Sequence, residues 1–342
     1  MELIEISGQA RTSRILVGAR LRDLPEHLPH ARCVVITDSN IKARYHDLLR
    51  GYDLIELPAG EQAKSLATVE KIYAELLRYE ADRSTFLVGV GGGVVCDLTG
   101  FAASTYLRGL EFGFVATSLL AQVDGSLGGK NAVNLQGFKN LVGTFNQPSF
   151  VICDLGLLET LPEREFVNGL AEVIKHALIG DPELFSFLER DLKEGARHDQ
   201  PFLQRIVHDS IAVKAAIVGR DEREAGERRV LNFGHTLGHA IEHTTDLLHG
   251  EAIGLGIAFA VRYSNQRGLL GRPSCERILA LLRRMKLPVD AGFDRRSALD
   301  AMKKDKKREA DRVHFVFLKE IGAPEIEAIS LDELKGAVRD LC

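Results

Sequence analysis

Four histidines fall within "VLNFGHTLGHAIEHTTDLLHGEAIGLG", residues 230–256, among glycines and apolar residues. His235 and His239 are four apart, so a helix sets them on one face, one turn from each other. They are not the HExxH pair of a zinc protease, because Thr236 stands where that motif has its glutamate. His249 follows beyond a break at "TTDLL". Upstream, "NGLAEVIKHALIG" carries Glu172, Lys175 and His176 on a helix that Leu170, Val173, Ile174, Ala177 and Leu178 wrap on most sides. A charge buried in such a helix must be paired or bound to a metal. Two readings stand. In one, Glu172 and Lys175, three apart, form an internal salt bridge and the histidines are satisfied core residues. In the other, Glu172, His235 and His249 form an N/N/O metal triad with room for substrate oxygens. His239 then remains as an acid–base group, and His243 lies on the surface.

Other stretches offer phosphate chemistry. "TFLVGVGGGVVCDLTGFAAS" reads strand, glycine turn, helix, and Gly91, Gly92 and Gly93 would let phosphates reach the backbone and the positive helix end. It departs from the Rossmann fingerprint, whose third glycine falls on Val94, which makes Glu111 a poor ribose ligand. A plain tight turn is the competing reading. "DGSLGGKN" fails as a Walker A loop: Asp124 replaces the first glycine and Asn131 the Ser/Thr. It leaves Lys130, Lys139 and Asn140 among glycines, suited to an anion or simply to water. "KAAIVGRDEREAGERRVLNFGH" adds Lys214, Glu224, Arg228 and Asn232, and "MKKDKKREADR" adds a basic run; both are solvated faces by default.

Composition sets the frame for these groups. A chain of 342 residues, 45% hydrophobic and 27% charged, is globular and suits one large or two medium domains. A net charge of −4 favours neither nucleic acid nor an anionic membrane. The apolar stretch around Ala252–Val261 is broken by glycine and too short to span a bilayer, and the N-terminus lacks a signal-peptide layout. Five scattered cysteines without a CxxC pair predict reduced thiols in the cytoplasm. Up to about residue 155, "CVVITDS", "YDLIELP", "TFLVGVGGG", "FGFVATS" and "SFVICDL" predict doubly buried strands, with a helix in "LATVEKIYAELLRYEADR". From Pro162 helical periodicity dominates, with a small hairpin in "RVHFVFLKEIGAPEIEAIS". The expected organisation is a parallel-sheet α/β domain over 1–160 and a helical domain over 161–342.

Taken in this order, from "ITDSN" to "DKK", these pieces resemble the 3-dehydroquinate synthases of the sugar phosphate cyclase family. The resemblance implies an N-terminal NAD-binding domain, a helical metal-binding domain, an active site in the cleft between them, and a homodimer. It implies NAD contacts at Asp38, Asn40, Glu61, Lys64, Gly92, Gly93, Val94, Asp97, Thr117, Ser118 and Lys139. Zinc or cobalt would sit on Glu172, His235 and His249. Substrate contacts would be Arg108 (reaching in from a partner subunit), Asp124, Lys130, Asn140, Lys175, Lys214, Arg228, Asn232 and Lys306. Glu224 and His239 match the positions for proton transfer, with Lys130 and Lys175 beside the reacting groups. The implied reaction converts 3-deoxy-D-arabino-heptulosonate 7-phosphate to 3-dehydroquinate and phosphate, in the shikimate pathway. The chain departs from the family where "GGKTAVN" becomes "GGKNAVN", with Asn131 for threonine, and where Phe138 precedes Lys139 in place of glycine. A different sugar phosphate, a metal-dependent NAD polyol dehydrogenase and a non-catalytic metal-binding scaffold are the other readings.

Overall fold

Four of the first unit's strands, Cys33–Asp38, Phe86–Gly91, Phe112–Ala116 and Phe150–Cys153, are buried on both faces and build its centre. "YDLIELP", expected as a fifth, is an edge strand with Asp53 and Glu56 exposed. The computed structural model describes residues 1–342 except 10, 30, 31, 291, 305–311 and 342. Strands β1 (Glu2–Ser7), β2 (Thr12–Val17), β3 (Cys33–Asp38), β4 (Asp53–Leu57), β5 (Phe86–Gly91), β6 (Phe112–Ala116) and, after a hairpin, β9 (Phe150–Cys153) form one sheet ordered β1-β2-β9-β6-β5-β3-β4. All its pairings are parallel except β1 with β2. Every residue of β5, β6 and β9 is buried, as a parallel sheet covered on both faces requires. The N-terminus forms two strands turned back at Gly8. The hairpin β7 (Lys130–Leu135) and β8 (Phe138–Phe145) stands apart as a two-stranded sheet.

Helices α1 (Leu24–His27), α2 (Ser39–Leu49), α3 (Leu66–Arg78) and α4 (Gly93–Thr105) connect these strands. The chain passes through α5 (Glu163–Gly180) and α6 (Pro182–Asp191) of a second unit, then returns to the first as α7 (Gln200–Arg220). It ends in the second unit with α8 (His235–Thr244), α9 (His249–Gln266), α10 (Arg272–Arg284), α11 (Arg295–Lys304), the hairpin β10 (Arg312–Glu320) and β11 (Ala323–Ser330), and α12 (Leu331–Leu341). The units are therefore Met1–Pro162 with Arg197–Arg223, and Glu163–Ala196 with Glu224–Cys342. This differs from a single division at residue 160. Helix α7 packs on β1 and β2, burying Phe202, Leu203, Ile206, Val207 and Ile211, and so belongs with the sheet. A periodicity shows that a helix is amphipathic, not which core it covers.

No helix among the described residues is long and apolar enough to cross a membrane. Cys33, Cys96, Cys153 and Cys275 are free and buried.

Candidate active site

In the first unit, the strand order turns at β3 and β5: from β3 one connection leads outward to β4, the next inward to β5. Ligands of open α/β sheets bind beyond the carboxyl ends of strands at such a switch. Asp38 ends β3, Gly91 ends β5, and Thr117 and Ser118 follow β6, so the expected NAD contacts collect along that edge. Gly92 is the N-cap of α4, with no side chain capping the helix. The first intrahelical bond runs from Cys96 N–H to Gly92 O, which leaves the amides of Gly93, Val94 and Val95 outside the ladder. A Cβ at Gly93 would meet nothing within 4 Å, and one at Gly92 would lie 3.4 Å from Ser118 Oγ. Bare amides, a helix dipole and open space fit the pyrophosphate of a dinucleotide. Asp38 has a task of its own: its Oδ1 accepts the N–H groups of Asn40 and Ile41 at 2.9 and 3.0 Å, capping α2.

Beside this edge, Lys64 is buried, ion-pairs with Asp97 and donates to Asn140 Oδ1 at 2.5 Å. Burial pushes the Asp97 carboxyl up in pKa, against the pull of Lys64. Asn134 binds the group together, donating to Glu61 Oε1 at 2.7 Å and accepting from Asn140 N–H at 2.9 Å. Glu61, Lys64, Asp97 and Asn140 thus share one network through a residue that sequence reasoning missed. Asn134 closes the "GGKNAVN" stretch, but only the folding of the hairpin gives it this task. The hairpin also separates two lysines that looked clustered. Lys130 opens β7 opposite Phe145, whereas Lys139 follows Phe138 at the turn. On α7, buried Lys214 donates to the carbonyl and to Oδ1 of Asp124, at 2.7 and 2.6 Å. Arg108 is exposed, in a turn where Leu107, Arg108 and Gly109 all have positive φ.

The family departure at Asn131 has a structural use. Asn131 is buried, and its amide donates to Gly129 O and Asn146 O at 3.0 and 2.9 Å, pinning the base of the hairpin. The side chain lies on Gly100 of α4, where a Cβ would collide with it. A threonine, one donor and shorter, cannot reach both carbonyls. Asn131→Thr, although it restores the residue common in the family, is expected to cost about 1–3 kcal/mol of stability. Urea unfolding of the ligand-free protein checks this, and an unchanged midpoint would refute it.

In the second unit, close helix contacts make the metal triad possible. Gly234, at φ +77°, begins α8, and a Cβ on Gly256 of α9 would strike its carbonyl, so only glycine allows this approach. Gly250 likewise sits against the backbone of Asn168 on α5 and donates its N–H to Asn168 Oδ1 at 2.5 Å. These contacts bring His235, His249 and Glu172 together. Glu172 is fully buried; its Oε1 lies 3.5 Å from His235 Nε2 and 3.2 Å from His249 Nε2, while Oε2 takes Lys175. The expected salt bridge to Lys175 is on one oxygen of Glu172, and the other oxygen faces both histidines. The three donor atoms lie within 4.8 Å of one another, as ligands of one cation do. Each imidazole turns its other nitrogen to an acceptor: His235 Nδ1 to Phe233 O at 3.1 Å, His249 Nδ1 to Glu242 Oε2 at 3.3 Å. That leaves both Nε2 atoms aimed at Glu172, the arrangement that zinc-type ligation uses.

The two imidazoles differ in charge. Burial pushes His235 down to about 3, so it is neutral and ready to ligate. For His249 burial also acts downward, but hydrogen bonds to Glu172 and Glu242 outweigh it and push the pKa up to about 10. A cation bound there would have to replace the Nε2 proton of His249. The His239 ring lies 4.9 Å from that of His235 and 6.0 Å from that of His249, half-buried beside the triad. Asn232 donates to Glu224, a residue held at φ +61°. Arg228 is buried, and Lys306 lies outside the described residues.

Comparison with known proteins accords with this geometry. The family model for the 3-dehydroquinate synthase N-terminal domain matches residues 54–168, and that for the C-terminal domain matches 169–308. A 3-dehydroquinate synthase of Dehalococcoides mccartyi is 41% identical over 95% of this chain and 95% of its own. The chain belongs to the 3-dehydroquinate synthase family.

Solved structures of related cyclases share the whole fold. A 2-deoxy-scyllo-inosose synthase, solved with carbaglucose-6-phosphate, NAD+ and Co2+, has a TM-score of 0.89 at 26% identity, with 100% of both chains covered. The 2-epi-5-epi-valiolone synthase of Streptomyces hygroscopicus subsp. jinggangensis 5008, solved with NAD+ and Zn2+, has a TM-score of 0.88 at 27% identity, covering 100% of this chain and 98% of its own. The contact with His249 also draws attention to Glu242, which the sequence reading passed over. A signal was present: Glu242 lies seven residues after His235 and three after His239, on their helix face.

Proposed function

We propose that this chain is an NAD- and metal-dependent lyase that converts 3-deoxy-D-arabino-heptulosonate 7-phosphate to 3-dehydroquinate and phosphate, a step of the shikimate pathway. The carrying observation is 41% identity to a 3-dehydroquinate synthase over 95% of the chain, together with a Glu/His/His triad built as a ligand set. When bound, NAD supplies reversible oxidation of the hydroxyl beside the carbon that must lose a proton, and the metal supplies Lewis acidity at that oxygen.

The residues of the chain would divide the rest of the work. Glu172, His235 and His249 hold the metal through an N/N/O donor set, and the family resemblance implies zinc or cobalt. Asp38, Asn40, Glu61, Lys64, Gly92, Gly93, Val94, Asp97, Thr117, Ser118 and Lys139 hold the dinucleotide. Arg108, Lys130, Lys175, Lys214, Arg228 and Lys306 oppose the charge of phosphate and carboxylate. Asp124, Asn140 and Asn232 orient the sugar, and Glu224 and His239 move protons. Arg108 enters from a partner subunit of a homodimer; the exposed, left-handed turn of Leu107 and Arg108 supports that reading. The buried free thiols support a cytoplasmic enzyme.

The test is stoichiometric. Phosphate released should equal heptulosonate phosphate consumed with NAD at a small fraction of substrate, and NADH absorbance should show no net rise beyond about one equivalent per site. NADH accumulating steadily from a neutral polyol, with no phosphate released from the heptulosonate phosphate, would overturn the proposal in favour of a dehydrogenase. No turnover, and no melting shift with NAD, would leave a metal-binding scaffold.

A further inference from the structure

We infer that Glu242 is a positioning residue for the metal centre: its carboxylate accepts the Nδ1–H of His249 and so fixes Nε2 as the nitrogen that meets the cation. The inference rests on the metal-triad reading above and concerns a residue that this reading does not use. Glu242 lies on α8 and His249 opens α9, so two helices must agree before the contact forms. The carboxylate of Glu242 is nearly buried, its side chain 8% exposed, and stands 3.3 Å from His249 Nδ1. On the opposite edge of the same ring, Nε2 faces Glu172 Oε1 at 3.2 Å.

A neutral imidazole carries one N–H and one lone pair, and the acceptor on one nitrogen decides where the lone pair lies. His235 solves the same problem with a backbone carbonyl, that of Phe233. For His249 the acceptor is a side chain, and a carboxylate accepts more strongly than a carbonyl. It raises the basicity of the ligand and locks the ring plane, as acceptors behind ligating histidines do. Glu242 also has a carboxylate oxygen within 4.8 Å of a ring nitrogen of His239. The same side chain therefore stands between a ligand and the proposed proton carrier, without itself being a ligand of the triad.

Metal affinity is the readout, measured by chelator competition with Zn2+ and by Co2+ absorption, with the melting temperature of each metal-free variant as a folding control. Glu242→Leu keeps the volume and removes the acceptor; it should weaken Zn2+ binding about 10–100-fold. Glu242→Gln retains an acceptor oxygen and should stay within about threefold of the parent, a rescue that packing alone does not predict. If Glu242→Leu does not fold, Glu242→Ala carries the same comparison. Parental affinity in the Leu or Ala variant, or equal loss in the Gln variant, overturns the inference. His235→Ala runs alongside: if that variant too keeps the metal, the triad reading itself has failed; if it loses metal while Glu242→Leu does not, only the role of Glu242 has.

Discussion

Replacing His235 by alanine is expected to strip the metal and to lower turnover by at least about a thousandfold, or roughly 4 kcal/mol of transition-state stabilisation. The reason is local. Glu172 Oε1 is shared between His235 and His249, its other oxygen is held by Lys175, and the carboxylate is fully buried. With one imidazole gone, the two donors left cannot close a tetrahedral site, which needs three protein ligands and one open position. His239→Ala should behave differently. It too should lose most activity, as a proton carrier, but elemental analysis should find its metal retained. Equal metal loss in the two variants would reverse the roles assigned to these histidines.

The second large effect is a gain. On the homodimer proposed above, Arg108→Ala and Lys214→Ala should each be nearly inactive, one lacking a cation for the partner's site and the other for its own. Mixed, dissociated and reassociated, they should recover about a quarter of parental activity, because half of the dimers are hybrids and each hybrid has one complete site. Lys214 is a demanding choice, since it also holds Asp124 through two hydrogen bonds, and its loss disturbs two proposed contacts at once. No recovery, with hybrids confirmed by mass, would return Arg108 to the site of its own subunit.

Much of this was legible in the sequence because burial leaves a strong imprint on it. The runs "FLVGVG" and "FVIC" could only be strands covered on both sides, and they are. The triad was legible for a related reason: Glu172 and Lys175 on an apolar helix demand partners. The placement of α7 was not, because its apolar face reads alike whichever unit it covers. The tasks of Asn134 and Asn131 were hidden for another reason. Their work depends on a hairpin of mostly part-exposed residues, whose pairing brings Glu61, Asn140 and Asn146 within reach. Glu242 was within reach of helical spacing, yet an acid three residues from another polar group is ordinary on a solvated helix face; only its burial against His249 distinguishes it.

The return of α7 to the first unit bears on how the chain is made. On the ribosome the sheet strands emerge first, but β1 and β2 lack their covering helix until the segment up to Arg223 has been synthesised. By then α5 and α6 have already emerged. Domains commonly fold in order of synthesis, N-terminal first. Here β1 and β2 must wait for α7, and the two units, each made of two chain segments, cannot be separated by a single cut. A fragment ending at Pro162 would lack the helix that covers β1 and β2. Assembly of this enzyme is therefore a problem of timing, and a chaperone that shields the sheet until α7 arrives would raise its yield.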